Sequence, residues 1–324
     1  MGWEDVLAAG EPTPLVEFPL GGGGVRLLLK DESKQPSGSL RHRHARALFR
    51  RAMREGLIAE GDTVVEATGG NAAVAQAWFA RRLGLSYVVV MPGEYSAARA
   101  RPVEELGGEC RFVTPPVAIY EAARKIEGHF PDQFGRAVEH DLAEELFGQV
   151  RPDWVVSGAA TGVTSATLGA WIRRQGERCR VAVADPENSA YFPGWTLDVA
   201  DYATGMPSRI EGIGRPRVEP GFRADLVDLV VPVADAASVA AARLLREVTG
   251  LAVGASSGTA LWAALELVER MRARGESGTV VSLIGDANER PLATCHDDGW
   301  AKAKGLDVGP HEERLRRLVD VAGG

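Results

Sequence analysis

Lysine is scarce in this 324-residue chain: of its 37 basic residues only Lys30, Lys34, Lys125, Lys302 and Lys304 are lysine, and the other 32 are arginine. Cysteine is scarcer, with Cys110, Cys179 and Cys295 scattered and never at CxxC spacing. That excludes a cysteine-built zinc site and fits a reducing compartment. The six histidines include no HExxH pattern, so no metal is expected. No apolar run approaches the roughly 18 residues of a membrane span, and no basic and apolar leader follows Met1, so the expected location is the cytoplasm. Positive charge does not dominate either. The formal net charge of −7 argues against a nucleic-acid partner or an anionic membrane surface.

What is present is an ordinary globular composition, 45% apolar and 25% charged, on a chain long enough for two domains. Strand-like and helix-like segments alternate. Strands are expected at Val25–Lys30, Thr63–Ala67, Tyr87–Pro92, Cys110–Val113, Asp153–Ala159, Arg180–Pro186, Leu226–Val233 and Thr279–Asp286. Helices are expected at Ser39–Glu55, Gly70–Arg82, Ala97–Leu106, Val117–Glu127, from Gly162, at Ala236–Thr249 and at Ser257–Arg274. Such alternation means parallel sheets covered by helices on both faces, with ligand sites at the carboxyl ends of strands. The run Gly21–Gly24 reads as a turn between two strands, since no helix follows it.

Small polar residues crowd the turns Pro36–Arg41, Ala67–Ala73 and Ala159–Ala166, each at the start of a helix. Backbone N–H groups are free there and favour anions. Taken singly, each is also what glycine and serine do in any tight turn; together they point to one composite site for a small anionic ligand. Arg41 adds a guanidinium able to grip a carboxylate or phosphate in a bidentate fork. His42 is either a proton carrier near neutral pH or a packing residue. Only one of His42 and His44 is expected to face the site. Cys295-His296-Asp297 reads as a surface turn, because adjacent residues rarely converge on one point.

Seven segments run in an order that carries a resemblance: Thr13–Leu15, Leu29–Leu40, Glu66–Ala73, Val89–Gly108, Ile210–Pro216, Val253–Leu265 and Asp286–Leu292. The chain resembles, over nearly its whole length, the cysteine synthase and cystathionine β-synthase family of pyridoxal-phosphate (PLP) enzymes of fold type II. The stretches SLRHRHARALF and SRIEGIGRPRVEPGF are most similar to a cysteine desulfhydrase-like single-domain branch. The resemblance implies an α/β architecture of two parallel-sheet domains with an interdomain cleft, usually as a homodimer. The large domain would comprise residues 1–39 and 151–324 and the small domain residues 40–150.

Residue by residue, the resemblance puts Arg41 where the family has the lysine that forms a Schiff base with the cofactor. A guanidinium stays protonated and cannot replace that amine. Lys34 is the best substitute amine by position, and Lys30 ends a strand. Phosphate contacts are implied for Thr161, Gly162 and Thr164, although Ala160 and Val163 stand where the family has glycine, and a β-branched valine adds bulk. Ala287 occupies the position of a hydroxyl residue that bonds the pyridine nitrogen. Thr68, Gly69, Gly70 and Asn71 form the turn for a substrate carboxylate, and Ser39 and Gly212 complete the ligand-binding set. These departures lead to the expectation that the chain has lost usual PLP chemistry and acts on, or binds, a small anionic, amino-acid-like metabolite, with Arg41 and His42 as the active groups. The alternatives are a working PLP-dependent C–S lyase or β-replacement enzyme of unusual geometry, and an inactive regulatory partner of an active paralogue.

Overall fold

The computed structural model describes residues 2–136 and 138–319; Met1, where a leader would begin, lies outside them. The chain forms two compact units, one of Met1–Glu11 and Gln35–Asp141, the other of Pro12–Lys34 and Leu142–Gly324. In chain order the elements are α1 (Trp3–Leu7), β1 (Leu15–Phe18), β2 (Val25–Asp31), α2 (Arg41–Arg54), β3 (Thr63–Ala67), α3 (Gly70–Leu83), β4 (Ser86–Pro92), α4 (Ala97–Glu104), β5 (Glu109–Val113), α5 (Ile119–Arg124) and α6 (Leu142–Gln149). They continue with β6 (Trp154–Gly158), α7 (Val163–Gln175), β7 (Arg180–Pro186), α8 (Tyr191–Leu197), β8 (Leu229–Val233), α9 (Asp235–Thr249), α10 (Ala255–Ala273), β9 (Gly278–Ile284), α11 (Asp298–Ala303) and α12 (Gly309–Arg316).

In the first unit β3, β4 and β5 lie side by side in that order, all parallel. Successive residues point to opposite faces, so Val64, Val89 and Met91 pack with Phe49 of α2 and Phe79 of α3. Val65, Ala67, Val88 and Val90 pack on the other side with Ile119 and Ala123 of α5. Burial on both faces is why β4 reads as a continuous apolar run. Helix α1 joins this unit through Val6 and Leu7. The first turns of α2 are buried although rich in charge, and Asp141 makes that tolerable. It accepts from Arg43 at 3.1 Å and pairs with Arg46. Burial alone would raise the Asp141 pKa, but the Arg46 and Arg43 guanidiniums hold it below the ordinary range.

The second unit has a six-stranded sheet in the order β1-β2-β9-β6-β7-β8. Only β1 runs antiparallel, joined to β2 across the glycine-rich turn. Helix α10 is buried along most of its length and packs closely on α9. Gly258 makes that approach possible, since a Cβ there would run into the Ser238 carbonyl. Among the described residues no helix is long and apolar enough to cross a membrane.

The two-sheet α/β architecture with flanking helices is the one expected. Details differ. The helix expected at Val117–Glu127 is a 3-10 turn at Pro116–Ala118 followed by α5, which stops at Arg124. Gly128 soon follows, lying so close to the Thr63 carbonyl that no Cβ fits. The strand expected from Leu226 starts at Leu229, because Ala224–Leu226 coils into a 3-10 turn. Helix α6 was not read from the sequence, although Leu142, Ala143, Leu146 and Phe147 make an apolar stripe at helical spacing.

Candidate functional site

In the second unit, β6 ends at Gly158 and the chain turns through Ala159–Gly162 into α7. Ala159, Thr161, Gly162 and Val163 are buried; Ala160 and Thr164 are half-buried. Gly162 sits at φ 79°, in the left-handed region, where any side chain would also meet the Phe222 backbone. The Ala159 carbonyl accepts from Gly214 N at 2.8 Å, and the Ala160 carbonyl accepts from the Tyr191 phenol. Thr161 Oγ1 accepts from Val163 N at 3.3 Å. Among the described residues, the amides of Ala160, Thr161 and Gly162 donate to no protein acceptor.

The two substitutions expected to spoil this turn do not. Ala160 keeps a negative φ, so its methyl group brings no backbone strain. Val163 lies 3.2 Å from where a Gly221 Cβ would be, on the side where Gly221 meets the Thr161 carbonyl. The valine therefore backs the turn instead of filling its amide side. Beyond β9, Ala287 is half-buried in an isolated bridge to Val253 and offers no polar side chain. Gly212 is exposed, in the loop between α8 and β8.

In the first unit, Gly38 adopts φ 80° and donates to the Gln35 carbonyl at 2.7 Å, turning the chain into α2. Ser39 is 1% exposed, and its Oγ has no hydrogen-bond partner among the described residues. Arg41 opens α2, half-buried, and its charge helps depress the pKa of His44 and His140. His42 does not have the setting of a proton carrier. Its ring centroid lies 4.8 Å from that of Trp78 and 4.6 Å from that of Phe79, and Nδ1 is 3.1 Å from Ser37 Oγ. Burial, with Arg46 and Arg43 adding to it, pushes its pKa down to about 3. His44 is buried too and its pKa also falls to about 3, first from burial and then from His140. Both imidazoles belong to the interior of the unit.

The Thr68–Asn71 turn follows β3. Thr68 N donates to the Val90 carbonyl at 3.1 Å, Gly69 is extended, and Gly70 adopts φ 55° as α3 begins. Beneath it Glu66 is fully buried, accepting from Ala67 N at 3.0 Å and Gln133 N at 3.2 Å. Burial pushes its pKa up to about 8. Arg99 was missed in the sequence. Its Nη1 donates to the Pro92 carbonyl at 2.8 Å, and its Nη2 lies 3.5 Å from where a Gly69 Cβ would be. A cation thus stands beside this turn, and the sequence signal for it is one of the two arginines in α4.

The lysines are placed clearly. Lys30 is fully buried, and its Nζ donates to the Thr13 carbonyl at 2.7 Å, to Gln149 Oε1 at 2.6 Å and to Glu145. Lys34 is more than half exposed, 4.0 Å from Asp31. The Cys295-His296-Asp297 segment is not a surface turn throughout. Cys295 is buried, His296 Nε2 lies 2.9 Å from the Val253 carbonyl, and Asp297 caps α11 through Trp300 N. Burial raises the thiol pKa of Cys110 and Cys295 to about 11 and that of Cys179 to about 12. Among the described residues no group of three His, Cys, Asp or Glu side chains is arranged to hold a metal ion.

A family model described as pyridoxal-phosphate dependent enzyme matches residues 6–286. The chain belongs to that family. Members similar to it include an L-cysteine desulfhydrase of Mycobacterium tuberculosis, 44% identical over 321 residues, covering 92% of this chain and 87% of the relative. A cysteine synthase of Staphylococcus aureus is 25% identical over 303 residues, covering 89% and 94%. Among solved structures, O-ureido-L-serine synthase superposes with a TM-score of 0.78 at 24% identity, covering 94% of this chain and 98% of the other. A lysine-to-alanine variant of that synthase with O-ureido-L-serine bound gives 0.77 at 25% identity, covering 96% and 97%.

These likenesses overturn the expectation of a divergent protein that has left PLP chemistry for the binding of an anionic metabolite. A chain 44% identical to an L-cysteine desulfhydrase over nine-tenths of its length is read as an enzyme of the PLP-dependent lyase type. The erosion inferred at Ala160 and Val163 is absent in three dimensions. In the second unit the undonated amides of Ala160–Gly162 suit a phosphate group, and in the first unit the buried Ser39 hydroxyl has no partner among the described residues.

Proposed function

We propose that this chain is a PLP-dependent enzyme acting at the β-carbon of cysteine-like amino acids, with L-cysteine desulfhydration as its activity. The observation that carries this reading is the 44% identity to an L-cysteine desulfhydrase over 92% of the chain. The net reaction takes L-cysteine and water to pyruvate, ammonia and hydrogen sulfide. The Cα–H and Cβ–S bonds break, sulfide leaves, and water oxygen replaces the nitrogen. PLP, when bound, supplies the electron sink that such chemistry at Cα needs.

The residues divide by role. The amides of Ala160, Thr161 and Gly162, with Thr164, hold the phosphate. Thr68, Gly69, Gly70 and Asn71 hold the amino-acid carboxylate, with Arg99 beside them. Ser39 would offer its hydroxyl to the ligand, and Gly212 would border the site; on the resemblance Ala287 stands where the family has a hydroxyl residue, and its methyl group would offer the cofactor no hydrogen bond. Arg41 stands where the family resemblance puts the lysine, and it contributes a fixed positive charge because it keeps its proton at any working pH. His42 packs against Trp78 and Phe79 and holds the start of α2. On the resemblance alone, the proposal extends to a cytoplasmic homodimer. β-Replacement on an activated serine is the second reading, favoured by the full-length likeness at 25% identity to O-ureido-L-serine synthase.

The test is incubation of the purified chain with PLP and L-cysteine, measuring sulfide and pyruvate together. Equimolar release that depends on PLP is expected. Uptake of PLP without either product, but with turnover of an O-activated serine and sulfide, would favour the second reading. Failure to take up PLP at all would overturn both.

A further inference from the structure

We infer that Tyr191 is a positioning residue that aims the Ala159–Gly162 turn at its anion. The inference rests on the reading that this turn takes the phosphate of the cofactor.

A peptide group is planar, with its C=O and N–H pointing in opposite directions, so holding a carbonyl also aims the N–H of the next residue. Two successive carbonyls of the turn accept hydrogen bonds and the third lies against a neighbouring main chain. The Ala159 carbonyl accepts from Gly214 N at 2.8 Å. The Ala160 carbonyl accepts from the Tyr191 hydroxyl. The Thr161 carbonyl fits against Gly221, where a Cβ would collide with it. Each of the amides of Ala160, Thr161 and Gly162 thereby points away from the group that meets the carbonyl before it, and Gly162 at φ 79° completes a turn suited to an anion.

Of the groups that engage these carbonyls, only the Tyr191 hydroxyl belongs to a side chain that can be altered without moving the main chain. Tyr191 is fully buried at the start of α8, and its ring lies on Phe222, with centroids 4.4 Å apart and planes tilted by 30°. Tyr191→Phe keeps that stack and removes the hydroxyl alone. The Ala160–Thr161 peptide then loses the donor that fixes its orientation, and the Thr161 amide is no longer held towards the phosphate.

The experiment compares the wild-type full chain with Tyr191→Phe for binding of PLP, of pyridoxal (which lacks the phosphate) and of inorganic phosphate. The variant is expected to bind PLP and inorganic phosphate about tenfold more weakly, the effect of one lost hydrogen bond. Its affinity for pyridoxal and its melting temperature should stay close to those of the wild type. Unchanged PLP and phosphate affinity would overturn the inference. So would an equal loss of pyridoxal affinity, because that marks damage to the whole site. A wild type that binds neither PLP nor pyridoxal sinks the cofactor reading instead. Inorganic phosphate then decides the role of Tyr191: a tenfold weaker affinity in the variant upholds it, and no difference, or no binding by the wild type, overturns it. If Tyr191→Phe does not fold, Tyr191→Leu, which also removes the hydroxyl without adding volume, is put to the same comparison of PLP, phosphate and pyridoxal affinities, with the same outcomes.

Discussion

The Lys30 ammonium donates to the Thr13 carbonyl at 2.7 Å, in the interior of the larger unit. Glu145 and Gln149 also accept from it, and Thr13 Oγ1 in turn donates to Glu32 at 2.7 Å. Removing the ammonium would leave Glu145 as a partly buried carboxylate without its cation. Lys30→Ala is expected to destabilise the fold by about 3–5 kcal/mol, the usual cost of breaking a buried pair, visible as a lower denaturation midpoint. An unchanged midpoint with loss of PLP uptake would instead make Lys30 a cofactor ligand.

Arg41→Lys tests the one position where the chemistry of the side chain matters most. A lysine amine can lose its proton when burial lowers its pKa; a guanidinium cannot. PLP-dependent sulfide release is expected to rise by roughly a hundredfold or more, the scale on which a positioned acid or base acts. A rate equal to that of the wild type would show that residue 41 takes no part in the chemistry.

Arg99→Gln should raise the KM for L-cysteine with a smaller change in kcat. The guanidinium stands beside Gly69, where a substrate carboxylate would bind, and losing a charge-assisted contact costs about 1.5–3 kcal/mol, or roughly ten- to a hundredfold in affinity. Steady-state kinetics over a range of cysteine concentrations decide it. Equal KM values would remove Arg99 from the substrate site.

Acid should unfold this protein partly through its buried imidazoles. His44 has a pKa near 3 in the folded chain against 6.5 in an exposed histidine. The unfolded chain therefore binds the extra proton as pH falls below about 6.5, and stability declines from there towards pH 3. His44→Gln cannot take up that proton. Its denaturation midpoint should vary less between pH 7 and pH 4 than that of the wild type, and parallel curves for the two proteins would count against this source of acid sensitivity.

The fold was legible because its information is local. Val64 and Val65, or Val88 and Val89, serve opposite faces of one strand, so each strand announces itself as a short apolar run. The turns at Thr68–Asn71 and Ala159–Gly162 were legible for the same reason: glycine and small polar residues at a strand end. What the sequence did not disclose depends on distant partners. His42 reads as a titratable group near an anion site until Trp78 and Phe79 close on it. Val163 reads as an obstruction until Gly221 gives it room. Tyr191 and Arg99 carry no motif at all, and their roles come from what α8 and α4 bring beside the two turns.

The three cysteines share a property that reaches beyond the site. Burial keeps the thiols of Cys110, Cys179 and Cys295 protonated well above neutral pH, and a protonated thiol is a poor nucleophile. In the folded chain buried Cys179 and Cys295 stand outside alkylation and disulfide exchange, and half-buried Cys110 is shielded in part. Unfolding returns the thiols to ordinary reactivity, which makes them a built-in gauge of how often the native chain opens.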